Sequence, residues 1–172
     1  FRTDGSSRFG VNNRWGYFPS VSAGWTISNE PFLKDALENI ATVRIRASWG
    51  KSGNNDIGNY SSIAGISTGS YAFGTSRLGG FADSELGWET TTQTNIGLDL
   101  GFFNSRLNVI ANYYNSISTD ILYNAPISAI SGFTSSTTNM TDAKIRNRGF
   151  DLQVDARLLT GKVKWNVSTN IS

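Results

Sequence analysis

The sequence predicts an all-β fold, in which about six antiparallel up-and-down strands and one short helical turn form part of the wall of a transmembrane β-barrel. Three observations favour it. Apolar and polar residues alternate over several stretches, as in strands that have one apolar and one polar face. The chain has 18 glycines and 12% aromatic residues, which suits strands joined by turns. Short and long connections alternate along the chain, as they do in membrane barrels.

The first strand is predicted over residues 16–28, where Val21, Ala23 and Trp25 share one parity. Pro19 lies near its start, where a missing ladder N–H is tolerated. Residues 29–40 are the helix-like stretch, because apolar residues recur there at helical spacing. The second strand is predicted over residues 41–50, where Ile45 faces away from the neighbouring arginines.

Four further strands are predicted from the same alternation. They cover residues 86–103, 106–123, 142–159 and 162–172. Tight turns are predicted at residues 104–105 and 160–161, and long polar connections at 51–85 and 124–141. Because outer-membrane barrels have short periplasmic turns and long outer loops, we expect the two long connections to be extracellular.

Six strands are too few to close a membrane barrel, which needs at least about eight. A β-sandwich stays open as an alternative, since its strands also alternate. The third to fifth predicted strands are longer than the ~5–6 residues common in strands, which favours the barrel. The sequence begins with FRTDGSS and not with Met, and we expect it to be an internal or C-terminal part of a longer protein.

The composition excludes several classes of function. The chain has no His and no Cys, which removes the commonest metal ligands, the commonest general base and any thiol chemistry. The net charge of +2 comes from scattered residues, so nucleic-acid binding is not expected. We expect no enzyme activity, no catalytic residues, no cofactor and no metal site.

Two sets of residues follow from the barrel prediction. Charged residues on the polar parity are candidates for the lumen surface: Arg44, Arg46, Asp99, Asp151, Asp155 and Arg157. Tryptophans on the apolar parity near strand ends are candidates for the aromatic girdles at the membrane interfaces: Trp25, Trp49 and Trp165.

Seven blocks of the sequence, in order, resemble the barrel region of the SusC/RagA family of TonB-linked outer-membrane receptors. They are DGSSRFG (4–10), NRWG (13–16), FPSVSAGW (18–25), ISNEPF (27–32), RIRASWGKSGNN (44–55), LGWETTTQTNIGLDLGFF (86–103) and KIRNRGFDLQ (144–153). The resemblance covers nearly the whole chain. It implies that residues 1–172 are a partial TonB-dependent receptor β-barrel domain, without the plug and N-terminal regions.

The resemblance also implies a function. Receptors of this family import an oligosaccharide or a peptide across the outer membrane of Gram-negative bacteria. Their parent barrel is large, with about 22 strands, and lies in outer-membrane lipid. A SusD-type surface lipoprotein caps it, and the TonB complex drives it through parts absent from this chain. The long connection 51–85 would then contribute aromatic residues to ligand capture or to contact with the lipoprotein: Tyr60, Tyr71, Phe73 and Phe81.

The alternative function is a secreted carbohydrate-binding module with a β-sandwich fold. In that case the apolar faces of the strands would form a core between two sheets. Trp15, Trp88 and Tyr123, which lie near loops, would be the platforms on which sugars stack.

Overall fold

The computed structural model describes residues 1–31, 40–69, 75–80, 82–161 and 163–172. Two short 3-10 turns, Ile27–Asn29 and Ala129–Ser131, occur there. Among these residues, none of the helices has the length and apolarity that a membrane span requires. The strands of the described part are β1 (Arg2–Gly5), β2 (Trp15–Phe18), β3 (Ser20–Thr26), β4 (Ile40–Asn54), β5 (Ile66–Gly69), β6 (Thr75–Leu78), β7 (Glu89–Phe102), β8 (Leu107–Pro126), β9 (Ser135–Thr160) and β10 (Lys164–Ile171).

Six strands form one sheet in the order β10-β9-β8-β7-β4-β3. Apart from the β5–β6 hairpin, which pairs separately, neighbours in this sheet are also neighbours along the chain, as in an up-and-down arrangement. The pairs β3–β4 and β9–β10 are antiparallel. The predicted all-β fold of about six antiparallel strands is therefore confirmed.

The first predicted strand is divided at Pro19. On one side β2 pairs with β1, from Arg2↔Phe18 to Gly5↔Trp15. On the other side β3 pairs with β4. Proline has no N–H to donate to a ladder, and its carbonyl accepts a hydrogen bond from Lys51 N at 2.9 Å. One alternating stretch of sequence therefore supplies strands to two different sheets.

The predicted connection 124–141 is too long. Strand β8 continues to Pro126 and β9 begins at Ser135, so the connection is residues 127–134. The backbone N–H of Ile127 donates to Thr134 O at 3.1 Å at the base of this connection. Most of the added strand residues are polar on both parities, so no alternation marks them as strand, although Thr is a good strand former.

The predicted connection 51–85 contains regular structure as well. Strand β4 extends into it as far as Asn54, and β5 pairs with β6 from Ile66↔Leu78 to Gly69↔Thr75. The helical turn predicted over residues 29–40 lies outside the described residues from 32 to 39.

The chain divides into two compact units. The first contains Phe1–Pro19, Lys51–Thr92 and Ile117–Ile145. It holds the buried apolar side chains of the described residues: Phe9, Phe18 and Leu86 are 1%, 5% and 0% exposed. The ring of Trp88 packs on Phe9 and Phe18, with centroid distances of 4.9 and 5.4 Å. Phe9, Phe18 and Trp88 form an aromatic core in the first unit.

The second unit contains Ser20–Gly50, Gln93–Ser116 and Arg146–Ser172. Its apolar parity remains exposed, and cross-strand partners such as Val21 with Trp49 and Trp25 with Ile45 lie on this surface. The register of β9 and β10 shifts between Trp165 and Asn166. Trp165 is therefore paired with Leu159, and not with Leu158, which the strict alternation placed on the apolar side.

Candidate functional site

The polar face of the second unit carries an ion pair between two of the predicted lumen residues. Arg46 donates to Asp99 through Nε at 2.8 Å and through Nη2 at 2.7 Å. The same Nη2 donates to Asn112 Oδ1 at 3.0 Å. β4, β7 and β8 supply one residue each. The two side chains are 39% and 26% exposed, so we expect this bidentate pair to stabilise the sheet by about 1 kcal/mol.

A glycine makes room for this ion pair. Gly97 is buried two residues before Asp99 on β7. A Cβ atom there would lie 2.8 Å from Arg46 Nη2 and 2.8 Å from Asn112 Oδ1. The guanidinium of Arg46 can therefore occupy this space because position 97 has no side chain. The alternation of the sequence marks Gly97 as polar parity but does not indicate this role.

The other predicted lumen residues are not part of this network. Asp155 accepts hydrogen bonds from Gln153 Nε2 at 2.8 Å and Ser168 Oγ at 2.5 Å. Arg44 passes over Gly24, where a Cβ would lie 3.3 Å from Arg44 Nη2. Arg157 is paired with Asn166 in the β9–β10 register, and Asp151 lies on β9, half-buried. The six residues thus share parity, but the structure joins only Arg46 to Asp99.

The three candidate girdle tryptophans are exposed on the apolar parity of the second unit. Trp25 and Trp49 lie near opposite ends of the β3–β4 pair, and Trp165 is near the start of β10. Trp25 also donates from Nε1 to Glu30 Oε1 at 2.9 Å. An apolar ring with a hydrogen-bonding edge is suited to a membrane interface, and their girdle role stays a prediction.

The first unit contains a cavity of about 480 Å³ that sequence reasoning did not find. Arg8 lies at its wall, donating from Nε to Asn59 Oδ1 at 3.0 Å and from Nη1 to Asn55 O at 3.1 Å. Also in the lining, Thr137 Oγ1 donates to Asn124 Oδ1 at 2.6 Å. Polar side chains dominate the lining, which consists of Arg8, Asp56, Ile57, Gly58, Asn59, Leu122, Tyr123, Asn124 and Thr137.

A second cavity of the first unit, of about 340 Å³, involves one of the predicted loop aromatics. Tyr60 is 73% exposed and has a positive φ of 65°, which is uncommon for a residue with a side chain. It lines this cavity with Ile63, Ile66 and neighbouring polar residues. The other three loop candidates, Tyr71, Phe73 and Phe81, lie outside the described residues.

The residues proposed as sugar platforms in the alternative module have different environments. Trp88 belongs to the aromatic core, and its Nε1 donates to Arg14 O at 3.3 Å, so its ring is not a free platform. Trp15 is exposed and covers Gly5, where a Cβ would lie 3.1 Å from the ring. Tyr123 is exposed at the larger cavity.

Within the described residues, no group of three or more His, Cys, Asp or Glu side chains is placed so that it could hold a metal ion.

The comparisons with known proteins identify the family. A family model described as TonB dependent receptor-like, beta-barrel, matches residues 1–172. The chain belongs to this family. Proteins of the TonB-dependent receptor family are outer-membrane β-barrels, so the six-stranded sheet is part of a barrel wall. The β-sandwich alternative is therefore wrong.

Individual relatives agree with the family assignment. TonB-dependent receptor P39 of Formosa agariphila is 40% identical over 177 residues, which cover 99% of this chain and 16% of that protein. TonB-dependent receptor SusC of Bacteroides thetaiotaomicron is 35% identical over 182 residues, covering 99% of this chain and 18% of SusC. The chain thus spans less than a fifth of the curated relatives it matches.

A solved structure matches nearly the whole length of this chain. The RagAB peptide importer in its closed-closed state superposes with a TM-score of 0.87 and 31% identity, covering 98% of this chain and 18% of that one. The relatives of this chain are TonB-dependent receptors and transporters, which is the class that the sequence resemblance predicted.

Proposed function

We propose that this chain is a wall segment of an outer-membrane importer that takes up oligosaccharides or peptides with energy from the TonB complex. The observation that carries the proposal is the likeness to the RagAB peptide importer over 98% of the chain. The uncovered apolar parity of the second unit supports it, since a strand face that meets lipid needs no protein partner. The mechanism is solute passage gated by a plug, without bond chemistry in this chain.

The polar parity of the second unit is the lumen surface in this proposal. Arg46 and Asp99 neutralise each other there, whereas Arg44 and Arg157 form no ion pair within the described residues. Unpaired cations beside a water-filled passage can contact either a solute or a neighbouring domain of the receptor. We expect Arg44 and Arg157 to contribute more than Arg46 to such contacts.

The first unit is the ligand-capturing side in this proposal. Its connections are the long ones, which in outer-membrane barrels face the cell exterior, and binding residues commonly lie on loops held by a rigid scaffold. Tyr60 and Tyr123 are exposed at polar cavities, where rings can stack on sugars or pack on peptide side chains. A SusD-type lipoprotein is the proposed partner at this end.

The import function is tested in the complete receptor that contains this chain. Uptake of labelled oligosaccharides and peptides is measured in cells with the gene, without it, and with the gene but without TonB. We expect one of the two substrate classes to be taken up only when both the receptor gene and TonB are present. Uptake that is independent of the gene for every substrate of both classes contradicts the proposal.

Sidedness is tested by labelling. An epitope inserted at Ser131, in the connection 127–134, should be accessible to antibody on intact cells, whereas one at Ser105, in the β7–β8 turn, should not. Labelling at Ser105 alone would show that the assigned inner and outer sides are reversed.

The role of the connection 51–85 is tested by deleting residues 61–77 from the full receptor. After heat-modifiable gel mobility has shown normal folding, we expect reduced uptake or reduced co-purification of the lipoprotein. If both remain at wild-type levels, the connection only shields the barrel mouth.

A further inference from the structure

The apolar stripe of β9 ends in two arginines on the same parity. Phe150 packs on Tyr113 of β8, with ring centroids 4.9 Å apart. Arg146 donates from Nε to Asn115 Oδ1 at 2.7 Å, and Asn115 lies two residues beyond Tyr113. Both contacts lie on one face of the β8–β9 pair, since side chains two residues apart point the same way. Arg148, between Arg146 and Phe150, shares this face.

This face is the apolar one. From Phe150 toward the β9–β10 turn it continues through Leu152 and Val154, and Phe150 and Leu152 are exposed. The opposite face at this level is marked by Gly149, where a Cβ would lie 2.6 Å from the Tyr114 hydroxyl oxygen. The arginines therefore extend the surface that meets lipid in the proposed function, and they do not belong to the polar face that carries Arg46.

The positions of Arg146 and Arg148 along strand β9 place them at a boundary of the membrane in this arrangement. Strand β9 ends at Thr160, ten positions after Phe150, and a tilted membrane strand needs about 9–11 residues to cross the hydrocarbon. The residues from Phe150 to Thr160 thus suffice for one crossing. Arg148 and Arg146 are the next two side chains on the lipid-facing parity, just beyond an aromatic pair of the kind found at membrane interfaces.

Both guanidinium groups are available to an anion. Arg146 and Arg148 are exposed, and the ion pairs of the described residues are Arg2–Asp4 and Arg46–Asp99. The hydrogen bond to Asn115 occupies only Nε of Arg146, so its two terminal nitrogens remain. Such a fork binds phosphate oxygens in pairs. The two arginines stand about 6.6 Å apart along the strand, which suits one or two neighbouring phosphate groups.

We propose that Arg146 and Arg148 form a docking surface for the phosphate-bearing headgroup of an anionic lipid, whose acyl chains lie against Phe150 and Tyr113. The inference rests on the proposed function, because it needs the apolar parity to meet lipid. Charge complementarity and continuity with the apolar stripe favour a lipid over an acidic protein, which would have to cover the apolar surface as well.

Lipid binding to the complete, detergent-purified receptor tests this proposal by native mass spectrometry with added phosphatidylglycerol or phosphatidylcholine. A basic residue near a membrane surface changes binding of anionic lipid about fivefold, so R146Q/R148Q should lower phosphatidylglycerol affinity about twenty-five-fold and leave phosphatidylcholine unchanged. R146K/R148K keeps the charge but loses the paired geometry, and should lie between. The matched control is R157Q on the same strand and the opposite parity, which should bind as the wild type does.

Three results would overturn the proposal. The first is unchanged phosphatidylglycerol binding in R146Q/R148Q that has folded by heat-modifiable gel mobility, with R146K/R148K equally unchanged. The second is an equal loss in R157Q. The third is the absence of any preference for phosphatidylglycerol over phosphatidylcholine, with the arginines binding a co-purifying acidic protein or free inorganic phosphate instead. Because the assay measures lipid binding and not transport, its result does not depend on whether the receptor imports the proposed substrates. Val154→Arg tests the lipid-facing assignment separately.

Discussion

The two units of the chain bury different kinds of residue. In the first unit, Phe9 and Phe18 pack with Trp88 into an aromatic core, and Leu86 is buried as well. Among the described residues of the second unit, the buried positions are Gly97 and Gly101, and large apolar side chains remain exposed. The first unit thus carries its own apolar interior, whereas the second needs an apolar surrounding. A single long strand can meet both requirements because the character of its residues changes along its length.

The largest expected effect is loss of the aromatic core. Phe18→Ala in the complete receptor should destabilise it by about 3–5 kcal/mol, since removing a buried ring leaves a cavity. Phe150→Ala, in the second unit, is the matched control and should have a much smaller effect, because that ring lies on the surface of the sheet and its removal leaves no enclosed cavity. Urea unfolding followed by tryptophan fluorescence measures both. Equal losses would mean that the two units do not differ in how they are stabilised.

The apolar face of the second unit is tested by a charge. Val154→Arg should destabilise the receptor in a bilayer by about 2–4 kcal/mol if Val154 lies near the midplane. Gln153→Arg, one residue away on the parity of Asp155, should cost much less. The comparison is made by reversible unfolding in lipid vesicles. Similar costs for the two variants would refute the assignment of inside and outside.

A smaller effect is expected where backbone touches the aromatic core. A Cβ at position 53 would collide with the Phe18 ring and lie 2.9 Å from Trp88 Cε3, so Gly53→Ala should cost about 1–3 kcal/mol through overpacking. Gly80 has no described atom within 4 Å of the corresponding position, which makes Gly80→Ala a near-neutral control. Unfolding midpoints of the two variants give the result, and a neutral Gly53→Ala would show that the core is loosely packed.

The smallest effect concerns the ion pair of the second unit. A double-mutant cycle with Arg46→Gln and Asp99→Asn should give a coupling free energy of about 1 kcal/mol, because the pair is partly exposed. Raising the salt concentration should weaken it. A coupling near zero at low salt would show that the two residues are placed together by the sheet without stabilising it.

Much of the fold follows from the sequence because alternation is a local property. Phe150, Leu152 and Val154 specify one strand face without reference to any other strand, and the seven family blocks give the receptor family directly. The strand ends around residues 124–141 were misplaced, since polar residues on both parities hide the periodicity on which the prediction depends. The division at Pro19 was also missed, because alternation continues through it while the hydrogen-bonding partner changes.

From the sequence, the candidate site was predictable only as the polar and apolar faces of the strands, and not as specific contacts between side chains. Parity places Arg46 and Asp99 in a set of six charged residues. The strand register then brings these two together, although they are 53 positions apart in the sequence. The cavity beside Arg8 had no sequence signal, because its walls come from separate segments of the first unit. Arg146 and Arg148 were visible in KIRNRGFDLQ, yet their significance depends on the face shown by Asn115 and Tyr113.

The sequence by itself determined that this protein is built from alternating strands, has neither His nor Cys for common site chemistry, and belongs with TonB-linked receptors. The tertiary structure alone decided which aromatic residues are buried, which charges pair and which arginines lie beyond the apolar stripe. The physical reason is the range of each interaction. A period of two residues is set by the local backbone geometry, whereas burial and ion pairing depend on strand register and on segments that meet only after folding.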